Sequence, residues 1–299
     1  MGFDWENHKK HRDQVIADQG QWLGLLDENG TPMMDLPPVM EMRMPEATND
    51  PSSGMVKLRV QSASGIVHPV IHQLIADGLG KTDEVGRLIP LNEATRFIAI
   101  ERAGIRSVFR VEFAVAEGGA GAPSTLEVHG TDMLKTLARF PAMSGPTTWT
   151  GKWAKFTRDW VGPENVGVKF EKPRDLQDIK MVTVADGTTE QGPAEGTIRK
   201  IISDSLAAAW RAIGQKELLA DPPVQVDPNP SGRKSQNILI RPTDRSIWEE
   251  LAPLAAAAGV GISAAMWWPT DPPIKGLQLE QPTIVVKVEQ REKAVGSYG

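Results

Sequence analysis

Phe109-Arg110-Val111-Glu112-Phe113-Ala114-Val115-Ala116, followed by Glu117-Gly118-Gly119-Ala120-Gly121 and then by Leu126-Glu127-Val128-His129-Gly130, decides the fold. Phe109, Val111, Phe113 and Val115 recur with a period of two, which puts them on one face of a strand and Arg106, Arg110 and Glu112 on the other. The glycine-rich run reverses the chain, so the segment reads as a hairpin with a flexible tip. A phosphate-binding loop would need Gly-Lys-Ser/Thr entering a helix, whereas here Pro123 leads into a strand.

Upstream, Val56, Leu58 and Val60 alternate with Lys57, Arg59 and Gln61, and an apolar run from Arg96 to Ile100 gives a further strand. Downstream, Thr131 and Asp132 cap a short helix carrying Met133, Leu134, Leu137 and Ala138, which must end by Pro141. Strands followed by one helix imply a barrel or curled sheet with a helical plug.

Helical period returns at Ile198, Ile201, Ile202, Leu206, Ala209, Trp210 and Ile213, between Pro193 and Gly214. Asp221-Pro222-Pro223 to Asn229-Pro230-Ser231-Gly232 reads as a loop. Ser246 and Glu249 stand at capping-box spacing before a helix over about 244–258, in which Trp248, Leu251 and Ala255 share a stripe and Pro253 implies a kink or a late start. That stripe predicts Trp248 as a core anchor. Strands over about 260–268 and 283–290 follow. At the other end, a helix over about 5–26 would put Trp5, Val15, Trp22 and Leu26 on one face and leave His8, Lys9, Lys10, His11, Arg12 and Asp13 wet. Met44-Pro45 and Leu36-Pro37-Pro38 keep the next stretch out of helix.

The fold class expected is therefore α+β, strand-rich and barrel-like, with a few packed helices. The expected divisions are an acidic N-terminal arm (1–54), a β-rich domain with a short helix (55–145), an aromatic-rich and helical segment (146–222) and an α/β second domain (223–299). The arm is expected to lie against a neighbouring subunit or protein and not on its own domain.

Composition narrows the function. The 299 residues suit about two domains. With Cys 0, disulfides, thiolate nucleophiles and cysteine metal sites are excluded. Every apolar stretch is interrupted by charge, so no membrane insertion is expected, and an apolar leader is missing from the first residues. The net charge is −5, with 4 Lys+Arg against 10 Asp+Glu in residues 1–54 and 29 against 28 in the rest. A near-neutral body argues against a dedicated nucleic-acid binder. Nine Trp against one Tyr point to buried anchors or interfaces.

Chemistry-bearing residues are few. His68 and His72 have i, i+4 spacing, but the Glu of the zinc-hydrolase pattern and a third ligand are missing. His8 and His11 lie among Lys9, Lys10 and Arg12, where repulsion disfavours a cation. His129 has the chemistry of a general base, but no G-x-S-x-G elbow partners it, so a hydrogen-bonded structural His is expected. Glu249 and Glu250 are adjacent and point apart on a helix. No catalytic, cofactor or metal residue is assigned, and no enzymatic activity is expected. Trp149, Trp153, Phe156 and Trp160 make a helical stripe interleaved with Lys152, Lys155 and Arg158. Such a stripe reads first as a buried face, next as a subunit interface and last as a stacking platform. The interface candidates are Trp5, Trp22, Trp149, Trp153, Phe156 and Trp160.

Several segments follow one another along the chain: Ser53-Gly54-Met55 into Val56–Val60, His68-Pro69 with Leu74, Leu126 to Leu134, Trp153 to Trp160, Arg241-Pro242-Thr243-Asp244-Arg245 with Trp248, Ala258-Gly259-Val260 and Pro282 to Val286. In wording and order they resemble the minor tail proteins of actinobacterial siphophages, the Gp37-like baseplate hub or tail-associated group. Together they span most of residues 30–292. The resemblance implies a non-enzymatic virion protein at the tail tip, a homotrimeric hub of barrel-like domains that closes the tube. Its implied contacts are the distal tail ring, the C-terminus of the tape measure protein and other tip proteins, with DNA at most passing through the lumen. Family members are often longer, so the resemblance implies a C-terminal half that is either missing here or supplied by another gene. The rival readings are a tail-tip cell-wall hydrolase and a carbohydrate-binding module, the latter requiring exposed, coplanar Trp149, Trp153 and Trp160.

Overall fold

The computed structural model describes residues 2–45, 49–76, 95–119, 122–145, 156–158, 169–174, 188–214 and 220–291. It is an α+β protein rich in antiparallel strands. Helix α1 (Trp5–Gln19) leads into β1 (Trp22–Leu26), β2 (Pro32–Asp35), β3 (Val39–Arg43) and β4 (Ser53–Arg59). After β5 (Phe97–Arg102), the long hairpin of β6 (Ile105–Gly119) and β7 (Ala122–Asp132) runs into a 3₁₀ helix (Met133–Arg139). These seven strands form one antiparallel sheet in the order β2-β1-β5-β6-β7-β4-β3.

Chain connectivity forces this sheet to curl. Its two edges, β2 and β3, are joined through only Leu36, Pro37 and Pro38, so they lie within about 14 Å of one another. The Leu36 amide donates to the Leu23 carbonyl of β1, and the Pro38 carbonyl accepts from Arg59 at the end of β4. β2 and β3 are not paired with each other, so the expected barrel is not closed and the sheet is an open curl whose gap is spanned by covalent chain. Inside the curl, Leu23, Leu25, Ile98 and Ile100 from one flank meet Val56, Leu58, Leu126 and Val128 from the other.

The rest of the chain covers part of the outer surface. After β8 (Phe156–Arg158), β9 (Lys169–Arg174) and β10 (Glu190–Pro193) come α2 (Ala194–Ile213), β11 (Val224–Val226), β12 (Asn237–Ile240), α3 (Ile247–Ala258), β13 (Val260–Trp267) and β14 (Thr283–Gln290). Strands β11, β14 and β13 make a small mixed sheet, with α2 and α3 packed on it. Ile198, Ile202 and Leu206 of α2, Leu251 and Ala255 of α3, and Val286 and Val288 of β14 share a core with Trp22, Phe97 and Val108 of the large sheet.

Several expectations change here. The helix begun at Trp5 stops at Gln19, because Gly20 adopts a left-handed φ of 81° and its amide caps the Ile16 carbonyl. Trp22 consequently lies in a strand, its indole folded over Gly24, where any side chain would collide with it. Residues 1–54 are no separate arm, since they supply α1, four strand segments of the main sheet and both of its edges. In α3, Ser246 accepts from the Glu249 amide as its spacing predicts, but Ile247 takes the fully buried position and Trp248 is only partly buried. Phe156 lies in a strand paired with β9, where Thr157 favours extended backbone, and is no part of a helical stripe. Trp149, Trp153 and Trp160 lie outside the described residues.

Because Trp22 is wholly enclosed and Trp248 is not, Trp22→Ala is expected to cost about 3–5 kcal/mol in denaturant unfolding and Trp248→Ala markedly less. Equal losses would contradict this packing.

Candidate functional site

Two features stand out, one buried and one exposed. The buried one begins with a tight turn. Ala103 and Gly104 both have positive φ, 44° and 80°, which joins β5 to β6 by a two-residue hairpin and sets Glu101 opposite Arg106. Arg12 of α1 reaches into this corner and is 1% exposed. Its Nε donates to Glu101 Oε2 at 3.0 Å, and Arg106 Nη1 stands 3.6 Å from the same oxygen. Arg106 also pairs with Asp271 and donates to the Met266 carbonyl, and Asp271 accepts from the Trp268 amide at 2.8 Å. Two guanidiniums and two carboxylates thus balance away from water.

Aromatic rings close the cluster. The Arg12 and Arg106 guanidiniums lie 4.6 and 3.9 Å from the Trp268 ring centroid, within cation–π range. Trp5, His8 and Trp22 pack edge-on or tilted around the same indole. Arg12 Nη1 lies 2.7 Å from His8 Nδ1; the guanidinium can only donate, so that nitrogen accepts and the imidazole is neutral. Burial, and then the positive Arg12, push the His8 pKa down to about 4. Asp35 accepts from Trp22 Nε1 and pairs with His11. Every carboxylate in the cluster faces a cation or an N–H donor, so the arrangement holds α1, the curled sheet and β13 together and presents no free base or nucleophile.

The exposed feature lies on the outer face of the β6–β7 hairpin. Between Val111 and Phe113 the register slips by one residue, so that Glu112 is an extra residue, a β-bulge. A slip of one exchanges the two faces of a strand. Before it, Phe109 is buried and Val111 packs on the inner core. After it, Ala114 and Ala116 face that core, while Phe113 and Val115 turn outward, 55% and 43% exposed. The alternation that predicts one apolar face is therefore split between two. Gly130 fits opposite Val111 because a Cβ there would lie 2.5 Å from the Arg110 carbonyl oxygen.

Phe113 stacks on His129, centroids 4.3 Å apart and nearly parallel, and His129 Nε2 meets Glu127 Oε1 at 2.7 Å. His129 is thus tied to a carboxylate and a ring, and among the described residues no hydroxyl is hydrogen-bonded to it. Lys57 lies between Glu117 and Glu127, and Arg139 pairs with Glu112. Of the interface candidates, Trp22 is core, Trp5 is partly buried against the chain's own Trp268, and neither reaches this surface. His68 stands before the short helical turn that carries His72, so the pair shares no helix face, and among the described residues no three His, Asp or Glu side chains gather as a metal site would require. Among the described residues no helix is long and apolar enough to cross a membrane.

Sequence reasoning missed Arg12, because its partner Glu101 is 89 residues away, and missed the outward turn of Phe113, because a bulge leaves no mark on alternation. The apolar run Phe113-Ala114-Val115-Ala116 was the available signal, since strands covered on both faces lose their polar alternation. No known protein family matches the chain, and no curated protein emerges as its relative.

Two outcomes are expected. Arg12→Met, which strips Glu101 of its nearest cation, should destabilise by about 3–5 kcal/mol. The His8 pKa of about 4 lies below the ordinary 6.5, so between these values the unfolded chain binds a proton that the folded chain does not. Stability should be complete above about pH 6.5 and fall as the pH drops toward 4. His8→Gln should flatten the melting temperature across that window, and an unchanged slope would contradict the assignment.

Proposed function

We propose that the chain is a structural virion subunit, a minor tail protein of the siphophage baseplate-hub type. In this reading three copies assemble at the tail tip and join the distal tail ring to host-contacting proteins. The observation that carries the proposal is the outward strip of Phe113 and Val115, set in an ordered sheet whose other face is already filled. β5 pairs with β6 only as far as Arg110, so the strip lies on the part of the hairpin that extends past β5, a place suited to cover by another protein.

The proposed occupant is a second copy of the chain. The rim of the strip carries both signs in matched pairs, Lys57 with Glu117 and Glu127 and Arg139 with Glu112, which suits a near-neutral surface of the next copy, met head to tail in a closed ring of three, better than a strongly charged partner. The sequence resemblance supplies the tail-tip setting, and the curled sheet with its covalently bridged edges suits a wall segment of a tube. The rigid joint around Arg12 and Trp268 adds what a load-bearing scaffold needs, a fixed relation between sheet and helices. The distal tail ring, the tape measure C-terminus and other tip proteins are the further contacts this reading assigns.

Native mass spectrometry of the purified chain tests the proposal. Wild type should be trimeric, and the double variant Phe113→Glu, Val115→Glu should be monomeric with an unchanged melting temperature. A monomeric wild type, or a double variant that still assembles, would overturn it.

A further inference from the structure

His8 stands on the docked side of α1, with the rings of Phe3, Trp5, Trp22 and Trp268 at centroid distances of 5.3, 6.5, 5.2 and 6.0 Å. Within these aromatics its Nδ1 accepts from Arg12 Nη1 at 2.7 Å. The charged groups that face it are Arg12 and His11 from its own helix, Asp35 from β2 and Arg106 from β6. Glu101 of β5 and Asp271, after β13, are the partners of the two arginines. Asp35 draws a proton toward His8, but its oxygens already meet Trp22 Nε1 and His11 Nε2.

The helix that carries His8 can come away as a unit. Arg12 is its one buried residue, and Trp5, Val15 and Ile16 are its partly buried apolar contacts. It joins β1 through Gly20, where a Cβ would meet nothing within 4 Å, so the joint is free to turn. Just beyond, Gln21 accepts from Arg102 at 2.8 Å and Trp22 to Leu26 pair along β5, which holds β1 in the sheet whatever α1 does. Beneath the helix lie Trp22 and Trp268, 1% and 0% exposed, with the Arg12 guanidinium over both rings.

We propose that α1 is an acid-released latch: when the His8 imidazole takes up a proton, the helix swings out on Gly20 and uncovers Trp22 and Trp268. Donor geometry is the reason. A protonated imidazole carries N–H on both nitrogens, so Nδ1 turns from acceptor to donor and meets the Arg12 N–H head-on. A third cation then shares a desolvated corner with Arg12 and Arg106, whose charges Glu101 and Asp271 already balance. Burial, and then the Arg12 charge, hold the His8 pKa at about 4 while the helix is docked, against an ordinary 6.5 once it is free. Release therefore binds a proton between these values, and the latch is fully closed above about pH 6.5 and loosens as the pH falls toward 4. It uses none of the residues of the Phe113 strip and stands independently of the assembly proposed above.

Hydrogen exchange of the full chain read by mass spectrometry at pH 7, 5.5 and 4.5, corrected for the intrinsic pH dependence of exchange, tests the latch. A free polar helix of this length is marginal in water, so release exposes its amides. Protection of α1 should fall roughly 50-fold between pH 7 and 4.5, while α2 remains protected at pH 4.5. His8→Gln, which keeps an acceptor for Arg12 but cannot charge, should hold α1 protected throughout. His8→Lys, a fixed charge in the same place, should leave α1 open already at pH 7 with α2 protected. The proposal is overturned if wild-type α1 is as protected at pH 4.5 as at pH 7, or if α1 and α2 lose protection together. It is equally overturned if His8→Gln opens with acid as steeply as wild type, or if His8→Lys keeps α1 closed. The wild-type comparison decides the matter even where a substitution at His8 weakens docking at every pH.

Discussion

The buried pair of Arg12 with Glu101 is the joint on which the rest of the molecule depends. Taking a guanidinium out of water is costly, and the attraction to one carboxylate seldom repays it unless further groups take up the remaining donors. Here Glu101 also faces Arg106, Arg106 is held by Asp271, and both guanidiniums lie against the Trp268 indole. The network draws its members from α1, from the β5–β6 turn and from the residues just after β13. It therefore converts three distant parts of the chain into one rigid unit. A helix as polar as α1, whose one buried residue is Arg12, rests only Trp5, Val15 and Ile16 against the core, and this joint adds the buried anchor.

A second constraint acts on the opposite side of the sheet. Curling brings both flanks of the seven strands onto one inner core, so side chains of the β6–β7 hairpin must choose between that core and the outside. The bulge at Glu112 makes the choice, giving the small Ala114 and Ala116 to the interior and the larger Phe113 and Val115 to the exterior. The alanines pack on the inner core, and the bulky residues are left on the outer surface, where the proposed subunit contact lies. In the proposed assembly, fold and subunit contact would be linked through this single inserted residue.

Much of the architecture is legible in the residues themselves. Pro193 and Gly214 bracket α2, Ser246 caps α3, and β13 and β14 fall where alternation places them, because each signal is local. Gly20 ends α1 by the same kind of local signal, but the apolar period running on through Trp22 and Leu26 masks it. The two buried faces of β1 explain that masking, since a strand enclosed on both sides loses its period of two. Trp248 shows how one residue of helix rotation hands the core position to Ile247. The Arg12 cluster is illegible for a different reason: its members meet only through tertiary contacts, and an isolated Arg in a sequence carries no sign of burial.

The central claim is that the outward strip of β6 is covered by a second copy in a tail-tip assembly. A cryo-electron microscopy reconstruction of the tail tip tests it most directly. The account predicts threefold density for this chain, with Phe113 and Val115 against a neighbouring copy and α1 seated on its own Trp268. Density in which Phe113 and Val115 face solvent, or a tail tip that lacks the chain, would contradict it.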